Sequence, residues 1–203
     1  MKNISISTGK MVRLAVLAAV LLIMAYTPLG YLKVGAVEIS FMMIPVVIGA
    51  VIIGPGAGAL LGGIFGVTSF IQCFGASPFG AALLAVNPWF TLIMCMIPRI
   101  LAGWLPGLLF KALNRTALPK LLPVTAACLS GALLNTIFFI GSLFLFFGGT
   151  DFVRSFGENA WAIIVLLVGV NGIVEAVVSS IVGATVSGAL IRFLPEREKK
   201  ELT

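Results

Sequence analysis

The sequence predicts an all-α membrane protein: a bundle of six transmembrane helices with both termini in the cytoplasm. Of the 203 residues, 60% are hydrophobic and only 10% are charged, whereas an ordinary soluble domain carries about 25% charged residues. The mean hydropathy is +1.18, and apolar stretches recur along nearly the whole chain. Because so little polar surface is available to cover a soluble globule, we expect one transmembrane domain over residues 1–203.

Six apolar stretches, separated by turn signals, define the predicted helices. Thr27-Pro28-Leu29-Gly30 ends the first stretch, and Gly54-Pro55-Gly56 separates the second from the third. Pro45 predicts a kink inside the second helix. Glycines and prolines interrupt residues 73–88, which we interpret as a structured loop. The predicted helices cover about residues 11–26, 38–53, 57–71, 89–111, 121–147 and 161–194.

The distribution of basic residues predicts the orientation of the bundle. With six spans, ten lysines and arginines fall on one side of the membrane, and Lys33 and Arg154 fall on the other. This asymmetry marks the basic side as cytoplasmic. It also explains the net charge of +6 without a nucleic-acid partner, and it predicts a multi-pass protein of the cell membrane. The basic side carries Lys2, Lys10, Arg13, Lys111, Arg115, Lys120, Arg192, Arg197, Lys199 and Lys200.

Small residues recur at every fourth position in two predicted helices. In lipid, such faces let helix backbones approach closely, and we interpret both ladders as packing surfaces inside the bundle. Ala15 and Ala19 form a similar pair in the first helix, which could instead face another protein. The ladders are Gly54, Gly58, Gly62 and Gly66 in the third helix, and Ala176, Ser180, Ala184 and Gly188 in the sixth.

Four polar side chains fall inside apolar stretches at comparable predicted depth: Arg99, Asn135, Asn171 and Glu175. A charge near the bilayer centre costs about 2.5–3.5 kcal/mol on insertion scales, so it needs a partner or a task. Two interpretations are open. Arg99 and Glu175 could form an ion pair that joins two helices, or Arg99 and the asparagines could contact a polar ligand. Asn171 and Glu175 lie four residues apart and therefore share a helix face.

Three further residues lie near the predicted outer surface, around the loop between the third and fourth helices. Gln72, Asn87 and Trp89 bracket this loop. The tryptophan could belong to the aromatic belt at the membrane interface. Together with the loop, the three residues could equally cover a pocket.

Missing sequence features argue against an enzyme. The chain has no histidine, which removes the usual zinc-ligand pattern and the commonest general base. Thr8-Gly9-Lys10 lacks the glycine-rich loop needed to bind ATP. We therefore expect a non-catalytic protein without metal or cofactor. The alternatives are a stand-alone secondary carrier or channel for a small organic solute, an intramembrane enzyme, which we consider the weakest, and a structural scaffold.

Several stretches resemble the substrate-binding S components of energy-coupling factor (ECF) vitamin transporters. The resemblance covers about residues 10–195 and implies an importer subunit that captures a vitamin or precursor from outside. It also implies a transmembrane T component and two ATPase subunits, in which ATP hydrolysis would occur. Ala15 and Ala19 match the helix face that meets the T component in this family. The matching stretches are RLAVLAAV at 13–20, IPVVIGAVIIGPGAGALLGG at 44–63, GVTSF at 66–70 and IPRILAG at 97–103.

Within the family, the chain looks most like the pantothenate-type members, and riboflavin, folate or another vitamin remain alternatives. Pantothenate is an anion with hydroxyl and amide groups. By this resemblance, Arg99 would bind its carboxylate, and asparagines would bind its amide and hydroxyls. The expected substrate-binding residues are Arg99, Asn135, Asn171, Glu175, Asn87, Trp89 and Gln72.

Overall fold

The computed structural model describes residues 8–34, 37–116, 119, 121–155, 164–165 and 169–193, and most of these residues are helical. A two-stranded antiparallel sheet follows the first helix. In chain order, the elements are α1 (Thr8–Ala25), β1 (Tyr31–Val34), β2 (Val37–Ser40), α2 (Met43–Ile52), α3 (Pro55–Gln72), α4 (Pro78–Val86), α5 (Pro88–Leu113), α6 (Leu121–Phe147), α7 (Asp151–Arg154) and α8 (Gly169–Phe193).

Among the described helices, four are long and apolar enough to cross a membrane: α1, α5, α6 and most of α8. The fifth apolar helix, α2, is shorter. Large apolar side chains cover the outside of the bundle, and Ile137, Leu145 and Phe193 are among the most exposed. Such a surface suits lipid rather than water. The fold is therefore that of a helical, multi-pass membrane protein.

The strand pair corrects the predicted start of the second helix, which was expected at residue 38. Tyr31 lies opposite Ser40 in the register of the two strands, and α2 begins only at Met43. The β-branched residues Val34, Val37 and Ile39 lie in the two strands next to the turn, and such residues favour strands over helices. Pro45 consequently falls in the first turn of α2, where its missing N–H interrupts no helical hydrogen bond.

A second correction concerns residues 73–88, which were predicted to form a loop but contain α4. Pro78 and Pro88 each occupy the first turn of a helix, a position for which the fixed φ of proline is favourable. Ser77 caps α4 by accepting a hydrogen bond from a first-turn N–H, and the Asn87 side chain caps α5 in the same way. These prolines therefore start helices, although in sequence they suggested breaks.

The last helix was predicted over residues 161–194. The structure describes α8 from Gly169 to Phe193, and residues 164–165 are also helical. Residues 161–163 and 166–168 lie outside the described part of the chain, so the predicted start stays a prediction. One further short helix, α7, occurs at 151–154 within the polar loop that follows α6.

The glycine ladder of α3 packs directly on the backbone of α5. A Cβ atom at Gly66 would lie 2.7 Å from the carbonyl oxygen of Cys95. A Cβ at Gly62 would collide with the carbonyl of Arg99, and a Cβ at Gly58 would collide with the carbonyl of Gly103. From one contact to the next, the residue number rises by four along α3 and falls by four along α5. The two helices therefore run antiparallel with their backbones in contact. This contact fixes the position of Arg99 along the bundle.

Gly54, the first member of the predicted ladder, has a different role. It caps the N-terminus of α3 with φ of 133°, a conformation that residues with a Cβ rarely adopt. No atom lies within 4 Å of a Cβ built there. The packing ladder of α3 is therefore shorter than predicted and consists of Gly58, Gly62 and Gly66.

Two apolar clusters fill the interior. The larger one surrounds α2 and includes Val46, Val51 and Phe65. The smaller one lies between α4, α6 and α7 and includes Leu83 and Phe147. Helix α8 packs closely against α6, where a Cβ at Gly183 would lie 2.9 Å from the Cys128 sulfur; Gly183 is not a member of the small-residue ladder predicted for this helix.

Candidate binding cavity

A cavity of about 170 Å³ lies between α3, α4, α5, α6 and α8, with the strand pair contributing to its wall. Its apolar wall includes members of both clusters. Its polar lining comes from several helices, so no single element forms the site. The cavity is lined by Tyr31, Ser40, Phe65, Ser69, Gln72, Cys73, Ser77, Phe79, Gly80, Leu83, Thr91, Met94, Cys95, Arg99, Asn135, Thr136, Phe139, Gly172 and Glu175.

The direction of the Arg99 side chain follows from the neighbouring proline. Pro98 has no N–H, so it cannot donate the helical hydrogen bond that the carbonyl of Met94 would otherwise accept. The guanidinium of Arg99 supplies the donor instead, with Nη1 at 2.5 Å from the Met94 oxygen. The arginine is therefore held along its own helix, at the cavity wall.

Two aromatic rings flank the guanidinium of Arg99. Its central carbon lies 5.5 Å from the centroid of Phe65 and 5.3 Å from that of Phe139, distances at which a cation is attracted to a ring face. Arg99 is only 8% exposed. Its Nε atom is buried and has no hydrogen-bond partner in the described part of the chain. The site thus holds a desolvated cation with an unused donor.

Asn135 and Glu175 form the second polar group of the cavity. Asn135 Nδ2 donates a hydrogen bond of 3.3 Å to Glu175 Oε1, which links α6 to α8. Both residues are 7% exposed, and Asn135 Oδ1 has no partner among the described residues. No ion pair joins Arg99 to Glu175 within the described ranges; the hydrogen-bond partners of these side chains are Met94 and Asn135.

Gln72, the fourth predicted residue in the cavity wall, also has a structural contact. Its Nε2 donates a hydrogen bond of 2.6 Å to the carbonyl oxygen of Ala25, the last residue of α1. The end of α3 is thereby tied to the end of α1 beside the cavity. Gln72 can contribute to the site while it also holds two helices together.

The other predicted residues do not line the cavity. Asn87 caps α5 by accepting from the backbone N–H groups of Trp89 and Phe90, and the Trp89 side chain is exposed. Asn171 lies in α8, but its side chain is outside the described part of the structure. Ala15 and Ala19 lie on the exposed face of α1, as a docking surface requires.

Several lining residues were not singled out from the sequence. Thr91 and Cys95 precede Arg99 by eight and four residues on α5, so helical spacing alone places them on its face. Thr136 follows Asn135 directly. The α4 residues that line the cavity could not be found, because this segment was interpreted as a loop. The missed polar and sulfur-containing residues include Ser40, Ser69, Cys73, Ser77, Thr91, Met94, Cys95 and Thr136.

Fold and site together define a class: a multi-pass membrane protein with an internal cavity whose wall carries both apolar and polar side chains. Residues 9–187 match the family described as "ECF transporter, substrate-specific component". Because this match spans most of the chain, the protein belongs to that family. It is accordingly a non-enzymatic transport subunit, as the sequence analysis predicted.

Two curated relatives resemble the chain over most of its length. The pantothenic acid transporter PanT of Lactococcus lactis subsp. cremoris is 31% identical over 169 residues, which cover 77% of this chain and 79% of the relative. The pantothenate transporter PanT of Leuconostoc mesenteroides subsp. mesenteroides is 27% identical over 175 residues, covering 83% of this chain and 82% of that relative.

Proposed function

We propose that this protein captures pantothenate outside the cell and delivers it inward as the S component of an ECF-type importer. Two similar proteins carry the name of a pantothenate transporter. The observation that carries the proposal is Arg99, a buried cation in the cavity wall whose Nε has no partner among the described residues. An unpaired buried charge is unfavourable, and the carboxylate of a ligand would compensate it.

The cavity supplies complementary groups for the rest of pantothenate. Asn135, Glu175 and Gln72 offer amide and carboxylate groups to its hydroxyls and amide. Phe79 and Leu83 offer apolar surface to its branched aliphatic centre. We also keep Asn171 as a candidate contact, since it lies one turn before Glu175. Asn87 and Trp89 would act only at the outer rim.

Transport requires partners in this proposal. A T component and two ATPase subunits would supply energy from ATP, and the exposed Ala15–Ala19 face of α1 would dock on the T component. The chain would lie in the cell membrane with both termini in the cytoplasm. Six crossings would use α1, α2, α3, α5, α6 and α8. Since α2 is only about 15 Å long, the strand pair would continue that crossing outward.

Purified protein in lipid nanodiscs tests the proposal by calorimetric titration with pantothenate, riboflavin and folate. We expect tight binding of pantothenate alone, and ATP-driven uptake into vesicles only when the T component and ATPases are present. Tight binding of another vitamin would reassign the substrate. Pantothenate flux through vesicles that contain only this chain would show a stand-alone carrier or channel instead.

A further inference from the structure

Two cysteines from different helices meet in the wall of the cavity. Cys73 is the C-cap of α3, and Cys95 lies in α5. Both side chains line the cavity, and they are hydrogen-bonded to each other. Within the described part of the chain, no cysteine forms a disulfide. A pair of thiols is therefore in direct contact at the place where a ligand would lie.

The antiparallel packing of α3 and α5 explains why the two sulfur atoms meet. Cys73 lies about two helical turns beyond Gly66, and Gly66 contacts the backbone of Cys95. In an α-helix each Cα–Cβ bond tilts toward the helix N-terminus. Cys73 thus leans back along α3, where its Sγ donates a hydrogen bond of 3.3 Å to the carbonyl oxygen of Ser69. Cys95 leans in the opposite direction along α5, so the two side chains converge.

The surroundings hold the two sulfur atoms in place. A Cβ at Gly80 of α4 would lie 2.6 Å from Cys73 Sγ, so a larger residue at this position would displace the sulfur. On the other side, Arg99 follows Cys95 by four residues and therefore shares its helix face. Reactive cysteines are commonly found beside a cation. The pair combines contact between two thiols with a neighbouring positive charge.

We propose that Cys73 and Cys95 form a reversible disulfide when a peroxide enters the cavity, and that this bond weakens ligand binding. One thiolate attacks a peroxide oxygen, the O–O bond breaks, and a sulfenic acid and water result. The second sulfur attacks the sulfenic sulfur, the S–S bond forms, and the hydroxyl group leaves as water with the proton of the second thiol. The two sulfur atoms together lose two electrons, which reduce one hydrogen peroxide molecule to two water molecules.

The disulfide would act on the cavity through the end of α3. A covalent S–S bond is shorter than a hydrogen bond between two sulfur atoms, so the two helices must approach at this point. Helix α5 is already in backbone contact with Gly66, whereas Cys73 lies beyond that contact. The end of α3 would therefore move, together with Gln72, which lines the cavity and is hydrogen-bonded to the end of α1. Formation of the disulfide is independent of the proposed function, and its effect on pantothenate binding rests on that function.

Hydrogen peroxide treatment of the full-length protein in nanodiscs tests the pair. After digestion without a reductant, mass spectrometry should detect two peptides joined through Cys73 and Cys95, lighter by two hydrogen atoms than the separate peptides. Calorimetry should show that oxidation weakens pantothenate binding by about 10-fold, as for one hydrogen bond lost at Gln72. Dithiothreitol should restore the affinity of the reduced protein.

Single serine variants identify the thiols that carry this effect. Cys73→Ser and Cys95→Ser should each have the same pantothenate affinity before and after peroxide treatment, whatever that affinity is. Cys128→Ser is the matched control, because Cys128 is a buried cysteine that does not line the cavity. This control should retain both the linked peptides and the loss of affinity. Oxidation of Met94, which also lines the cavity, would persist in all three variants and would not be reversed by dithiothreitol.

Absence of the linked peptides, or a linkage through Cys128, would overturn the inference. An oxidised protein that binds pantothenate as tightly as the reduced protein would also overturn it, and these comparisons need no variant. The same holds if Cys73→Ser and Cys95→Ser lose affinity on oxidation as the wild type does. Failure of the reduced wild-type protein to bind pantothenate would overturn the proposed function and the effect on ligand binding, whereas the linked peptides would still show the disulfide.

Discussion

Arg99 donates a hydrogen bond to the carbonyl oxygen of Met94, five residues earlier in the same helix. The acceptor is available because Pro98 cannot donate to it. A proline inside a transmembrane helix thus determines how the neighbouring arginine is directed. The guanidinium lies in the cavity wall between the rings of Phe65 and Phe139, and its Nε is buried without a hydrogen-bond partner among the described residues.

Pro98→Ala tests this coupling. An alanine at this position restores the helical hydrogen bond to Met94, so the guanidinium loses its intrahelical acceptor and its fixed direction. We expect pantothenate affinity to fall by about 10-fold, comparable to one lost hydrogen bond, without loss of thermal stability. Calorimetry measures the affinity for pantothenate, and thermal unfolding in detergent measures the stability.

Pro106→Ala is the control, since Pro106 also lies inside α5 but does not line the cavity. An equal loss of pantothenate affinity in this control would refute the coupling between Pro98 and Arg99.

Gly62→Ala tests the contact between α3 and α5. The added Cβ would collide with the backbone carbonyl of Arg99, which cannot move without separating the helices. We expect destabilisation by about 1–3 kcal/mol, as for overpacking of a well-packed interior, together with weaker ligand binding. In Gly63→Ala the Cβ meets only a side-chain atom of Ile100 at 3.8 Å, so the midpoint of thermal unfolding should not fall. Similar loss in both variants would contradict the packing described here.

Ala15→Trp and Ala19→Trp test the proposed docking face. Both residues are exposed on α1 and do not line the cavity, so pantothenate binding should remain at the wild-type level. Uptake by vesicles containing the T component and ATPases should decrease by about 10-fold or more if the bulky rings prevent docking. Ile137→Trp places the same ring on exposed surface of α6 and should leave uptake unchanged. Loss of ligand binding in the α1 variants would refute the assignment.

Thiol labelling tests the extent of the cavity. All three cysteines are buried, but Cys73 and Cys95 line the cavity, whereas Cys128 lies where α8 packs on α6. A small thiol reagent should modify Cys73 and Cys95, and saturating pantothenate should slow that reaction. Cys128 should react far more slowly and without protection, as mass spectrometry of the labelled peptides would show. Equal protection of all three cysteines would instead indicate a general stabilisation by the ligand.

The membrane-protein class and the packing role of Gly58, Gly62 and Gly66 could be predicted, because composition and helical spacing determine both. The assigned directions of the helices placed Arg99, Asn135, Asn171 and Glu175 at comparable depth. The structure brings Arg99, Asn135 and Glu175 to one cavity, and the side chain of Asn171 lies outside the described part of the structure. Tertiary partners were less predictable. From the sequence, an ion pair between Arg99 and Glu175 was one of two interpretations. In the structure, Arg99 donates a hydrogen bond to the carbonyl oxygen of Met94, and Glu175 accepts one from Asn135.

The strand pair and α4 could not be predicted, for identifiable physical reasons. Tyr31–Val34 and Val37–Ser40 are only four residues long, and over so short a stretch strand and helix give similar patterns. Pro78 and Pro88 were interpreted as interruptions, although proline is equally compatible with the first turn of a helix. Only the caps at Ser77 and Asn87, with prolines directly after them, gave a usable signal for α4 and for the start of α5.

The most direct test of the account is the affinity of Arg99→Gln for pantothenate and for panthenol, in which an alcohol replaces the carboxylate. If Arg99 holds the carboxylate, the variant should bind pantothenate about 10-fold to 100-fold more weakly than the wild-type protein. Its affinity for panthenol should be nearly unchanged. An Arg99→Gln protein that binds pantothenate as tightly as the wild type would contradict the account, even if it unfolds at a lower temperature.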